Sequence, residues 1–105
     1  FMSWIYLCLA GLLEVCWALA MKASDGFSRP VPTLLMAATM AASFWLLALA
    51  MRTLPLSTAY AVWTGIGAVG SFLVGIFMLG EPAGTLKMTA AALIASGIVL
   101  MKVAG

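Results

Sequence analysis

Three acidic residues occur in this chain, and only Glu14 lies inside an apolar run. It sits in Gly11-Leu12-Leu13-Glu14-Val15-Cys16-Trp17, in the middle of Trp4–Met21, a stretch with no other charge. Asp25 and Glu81 fall in connecting segments. An ionised carboxylate at mid-bilayer depth costs about 2.5–3.5 kcal/mol on insertion scales. Such a group should face a protein-lined cavity, not lipid, and there it would hold a proton or a cation. Helical spacing puts Gly11, Glu14 and Trp17 on one stripe at three-residue steps. Gly11 would leave room beside the carboxylate, and the indole N–H of Trp17 is a donor that could orient it. Tyr60 and Trp63 are also three apart, and aromatic faces attract cations by about 2 kcal/mol when desolvated. Those aromatics could equally be core packing or interfacial belt, as expected for Trp4 at the opening of a run. Ser43 is in the middle of another apolar run; its hydroxyl could reach Glu14 or merely its own helix backbone.

Other chemistry finds little support. There is no histidine, and Cys8 and Cys16 are separated by about 12 Å of helical rise, too far for a disulfide within one helix. A metal site or other cofactor is therefore not expected, and both thiols read as small apolar residues. Gly65-Ile66-Gly67-Ala68-Val69-Gly70 matches a dinucleotide-binding fingerprint, but that motif needs a preceding strand and a later acid. Inside an apolar run the glycines instead permit a hinge at Gly65 and Gly67 or close helix packing. With no nucleophile, metal set or cofactor motif, an enzyme is not expected. The few, scattered charges, net +2, form no basic patch for nucleic acid.

The elements that must carry these residues follow from composition. The chain has 105 residues, 66% hydrophobic and 8% charged, and its mean hydropathy is +1.21. A soluble domain of this size could not bury so much apolar surface, so residues 1–105 read as one all-α transmembrane domain. Spanning a bilayer takes about 20 mainly apolar residues, and four helices are expected, at about 4–22, 33–51, 56–79 and 83–103. Lys22 ends the first and Arg52 with Pro55 ends the second, while Lys87 can snorkel from the start of the fourth. All four prolines fall near helix ends, where a missing N–H costs little. The first run lacks the flanking charge and cleavage site of a removable signal peptide. Phe1 ahead of Met2 leaves the true N-terminus open. Short loops predict that successive helices are antiparallel neighbours.

Lys22, Arg29 and Lys87 fall on one membrane face, Arg52 and Lys102 on the other with the N-terminus. That is almost no bias for setting orientation, as expected of a chain that inserts both ways round and pairs antiparallel with itself; other features could still fix one orientation. Four helices around one acid are also too few to enclose a substrate path. A homodimer would supply eight helices and two copies of Glu14. Ala92, Ser96 and Gly97 in the fourth helix have the small-residue spacing that allows close helix approach, either at a dimer contact or within one protomer.

Glu14, the loop Lys22…Gly26-Phe27-Ser28-Arg29, Pro55, Ala59-Tyr60-Ala61-Val62-Trp63 and Gly65-Ile66-Gly67 together resemble the small multidrug resistance family, over essentially the whole chain. Gly11 and Trp17 flanking Glu14, with Ser43 and the run Trp63-Thr64-Gly65-Ile66-Gly67-Ala68, look like its guanidinium-exporter subtype. Quaternary-ammonium exporters of the family usually carry a branched apolar residue in place of Gly11 and glycine in place of Trp17. The resemblance implies a multi-pass protein in a prokaryotic cell membrane, a four-helix protomer in an antiparallel, dual-topology homodimer. It implies that the two acids bind protons or one guanidinium-type cation, mutually exclusively. Glu14 would be the binder, Trp17 and Ser43 would orient it, Tyr60 and Trp63 would line the cavity, and Gly65 and Gly67 would let the third helix bend. Two competing expectations are export of quaternary ammonium and other hydrophobic cations, and a non-transporting accessory subunit or chaperone whose Glu14 pairs with a partner's basic residue.

Overall fold

The computed structural model describes residues 2–104, which form four helices joined by short turns. They are α1 (Met2–Ala23), α2 (Pro30–Ala50), α3 (Leu56–Phe77) and α4 (Thr85–Ala104), each long and apolar enough to cross a membrane. The helices begin or end a few residues from their expected bounds, for identifiable reasons. α2 starts about one turn early because Pro30 opens it. First-turn N–H groups have no intrahelical acceptor, so a proline there loses nothing. α3 stops at Phe77, before the expected Leu79, and Gly80 turns the chain at φ +68°. Pro82 follows, and α4 begins only at Thr85.

The α1–α2 turn is built around Ser24, which is fully buried. Its hydroxyl donates to the Met21 carbonyl at 2.6 Å and accepts from the Phe27 N–H at 3.1 Å. Its carbonyl takes the N–H groups of Ser28 and Arg29. These bonds hold Asp25, Gly26 and Phe27 in consecutive left-handed conformations, with φ of +50°, +70° and +67°. Only the glycine adopts that region without a steric penalty, so the serine must over-determine the turn.

The order in space is α2, α1, α3, α4. α1 lies between α2 and α3, which touch each other only marginally, and α4 packs mainly on α3. The expectation that every successive pair would be neighbours therefore fails for α2 and α3. Their turn joins them at one end, and α1 fills the space between. The buried apolar residues Leu7, Ala10, Leu47, Ala50, Ala59, Val62 and Trp63 all belong to the helix halves nearest that turn. Ser3 and Thr53 share a hydrogen bond there, and the Lys102 ammonium lies 4.8 Å over the Trp4 ring. No residue of α4 is buried among those described. An outward apolar surface of this extent is what lipid or another protein covers, since water would expel it.

Ser24→Ala should leave the Phe27 N–H without its acceptor, while the Met21 carbonyl keeps only the Ser24 N–H, costing about 1–3 kcal/mol. Denaturant titration in detergent micelles should show that loss with native helicity kept; an unchanged midpoint would contradict the role given to Ser24.

Candidate functional site

α1 and α3 run side by side in the same direction, and α3 meets α1 through glycines. A Cβ on Gly67 would collide with the Glu14 carboxylate, and one on Gly70 with the Val15 side chain. On the α1 side, a Cβ on Gly11 would stand 2.7 Å from Ile66 Cβ. The pairings Gly11–Ile66, Glu14–Gly67 and Val15–Gly70 thus define one close seam. Glu14 lies in it, half-buried, with Oε1 out of solvent and without a hydrogen-bond partner among the described residues. The indole Nε1 of Trp17 is likewise buried and unpartnered among the described residues, so the orienting bond expected from it to Glu14 is not made in this conformation. Buried polar atoms are nearly always paired, so an unmet acceptor and an unmet donor on one helical stripe make this the candidate site.

Ser43 makes neither of the bonds expected of it. Its hydroxyl donates to the Ala10 carbonyl of α1 at 2.6 Å and accepts from the Trp63 indole at 3.0 Å. A hydroxyl has one hydrogen to give, so the bond to α1 backbone takes what Glu14 would have received. Ser43 is fully buried and fastens α1, α2 and α3 at one point. Trp63, so held, stands within a chain of rings. Tyr60 stands 5.6 Å from it, Phe44 5.7 Å from it, and Trp17 meets Phe44 edge-on at 6.4 Å. The structure therefore brings Glu14, Trp17, Ser43, Tyr60 and Trp63 to one region around the α1–α3 seam.

Phe44 is the residue that sequence reasoning missed. A phenylalanine in an apolar run carries no polar signal, and nothing in the spacing sets it apart from a lipid-facing one. The glycines also divide their work differently than expected. Gly67, not Gly11, makes the room for the carboxylate, while Gly11 admits Ile66. Gly65 admits α4, since its Cβ would come within 2.9 Å of Ile98 Cγ1. α3 is unbroken across Gly65 and Gly67, so in this conformation both serve close packing.

The sequence pattern described as Small Multidrug Resistance protein matches residues 2–94, taking in every residue of this site. The chain belongs to the small multidrug resistance family. Within the family it is similar to a relative from Yersinia pseudotuberculosis serotype I (strain IP32953) named "Guanidinium exporter", 53% identical over 98% of this chain and 99% of that relative. Relatives of the same name from Escherichia coli (strain K12) and Salmonella typhimurium are 52% identical over 96% of each chain. Family membership, with four apolar helices of spanning length, makes this a multi-pass cell-membrane protein.

Ser43→Ala strands the buried Trp63 N–H and releases α1 backbone from α2. Stability in detergent should fall by about 1–3 kcal/mol, and tryptophan emission should shift; wild-type values for both would refute the three-helix fastening.

Proposed function

We propose that this chain exports guanidinium and small guanidinium-like cations in exchange for protons, as an antiparallel homodimer working by alternating access. The observation that carries the reading is the buried Glu14 oxygen, unpartnered among the described residues, with an equally unpartnered Trp17 indole three residues on along α1. The names of the relatives over nearly the full chain support the same substrate.

Guanidinium is planar and presents N–H donors in the fork geometry that matches a carboxylate. It would satisfy the open acceptor of Glu14 while its faces stack on the aromatic chain. At membrane depth the acid is stable in two conditions, neutral with its proton or ionised against a cation. Each excludes the other. Competition for the acid then couples the two flows with no separate proton path.

One protomer cannot enclose such a site. α4 has no buried residue among those described and leaves its apolar faces free for a second copy. The near-equal distribution of Lys and Arg on the two faces supports opposite insertion of the two copies. A bend at Gly65-Ile66-Gly67 would lift α3 off Glu14 and move the opening from one face to the other. With two acids per dimer, two protons can exchange for one cation. Each cycle then carries one positive charge inward, adding about 2.3 kcal/mol per 100 mV of membrane potential to export.

Quaternary ammonium export is the second reading, and the ring chain Trp17–Phe44–Trp63–Tyr60 is what favours it. Such ions have no N–H donor and would leave Glu14 Oε1 unsatisfied. Guanidinium should therefore bind at least tenfold more tightly than tetrapropylammonium in a direct titration; the reverse order would select the second reading.

Glu14→Gln should abolish guanidinium-evoked currents in proteoliposomes, and currents of wild-type size would overturn the proposal. Gly67→Ala should gain helix propensity, about 1 kcal/mol, yet displace the carboxylate. We expect unchanged circular dichroism with guanidinium affinity reduced at least tenfold; unimpaired affinity would contradict the seating of Glu14 on Gly67.

A further inference from the structure

Beyond Gly70 the α1–α3 seam opens. Val15, Ala18, Leu19 and Lys22 present one face of α1, at steps of three and four residues, to Ser71, Val74 and Gly75 of α3. Leu79 and Glu81 close the far side, and together these residues line a cavity of about 190 Å³. Its inner end is Val15, the residue next to Glu14 in the seam. At its outer end stand one acid and one base, which form no ion pair among the described residues.

Glu81 is placed there by backbone geometry. Gly80 turns the chain at φ +68°, and the Glu81 N–H donates to the Gly75 carbonyl at 2.9 Å. The side chain then folds back over α3, where a Cβ on Gly75 would collide with its carboxylate. A solvated loop glutamate could extend into water at no cost. This one, while still exposed to water, lies against Gly75 at the end of the cavity whose other end is Val15, with Ser71 also on the wall.

We propose that Glu81 is an outer capture site for the transported cation, a carboxylate that takes a guanidinium-type ion from water at the mouth of the seam before it reaches Glu14. Lys22 on the opposite wall limits how long the ion stays, because like charge opposes a bound cation. The inference rests on the export reading above. Charges at the rim of a binding site act mainly on association rate and its salt dependence, and that sets the expected phenotype. In an antiparallel pair each membrane face carries one such mouth.

The test is initial-rate guanidinium transport in proteoliposomes at low and high ionic strength. Glu81→Gln should raise KM about three- to tenfold at low salt, leave kcat unchanged, and flatten the salt dependence of kcat/KM. Glu81→Asp, which keeps the charge, should restore that salt dependence, and Lys22→Gln should lower KM. A merely structural turn residue would lower kcat and gain nothing from the aspartate. Wild-type KM and salt dependence in Glu81→Gln, or an aspartate variant as impaired as the glutamine, would overturn the inference. If the wild-type protein itself carries no guanidinium, the functional reading fails first, and that result is distinct from either.

Discussion

A carboxylate held inside a membrane without a partner is the constraint on which the rest of this structure depends. Leaving Glu14 ionised at that depth would cost about 2.5–3.5 kcal/mol, and among the described residues Oε1 has no donor to offset the cost. The protein keeps the acid out of lipid by close packing, with Gly67 as the surface it rests on. Among the described residues nothing neutralises it. In the proposed function a proton and a planar cation would do so in turn.

The distribution of order along the helices follows from that requirement. Apolar packing is concentrated in the half near Ser3, Thr53 and Trp63, where Ser43 joins three helices with two hydrogen bonds. The opposite half is open, with a cavity between α1 and α3 instead of a core. Glu14 stands at the boundary. One end is thus fastened while the other is loosely packed, a division that would suit the opening of the seam in the proposed transport cycle. The same glycines that bring α1, α3 and α4 into contact are the positions at which α3 resists bending least.

Much of this was legible in the sequence. Apolar runs interrupted by Lys22, Arg52, Pro55 and Gly80-Glu81-Pro82 located all four helices, and the isolation of Glu14 singled out the candidate site. Proline chemistry misled at Pro30, where a helix start resembles a loop because neither needs the N–H. Ser43 was recognisable as a mid-span polar group, but its partners depend on how three helices are arranged, and spacing along one helix cannot reveal that. Phe44 was invisible for the same reason. Gly11 and Gly67 both read as glycines near an acid; only the register between α1 and α3 tells which accommodates the carboxylate and which accommodates Ile66. Local chemistry is written in the chain, whereas the pairing of faces is decided by packing.

Competition between H⁺ and a planar cation for one acid is most directly tested by counting protons. Purified wild-type protein in weakly buffered detergent solution near neutral pH is titrated with guanidinium, and H⁺ release is followed by a pH dye alongside bound ligand. Exchange at Glu14 predicts release in proportion to the ligand bound, up to two protons per cation, with apparent affinity weakening as the pH is lowered. Saturable guanidinium binding that releases no H⁺ and has the same affinity at every pH would contradict it.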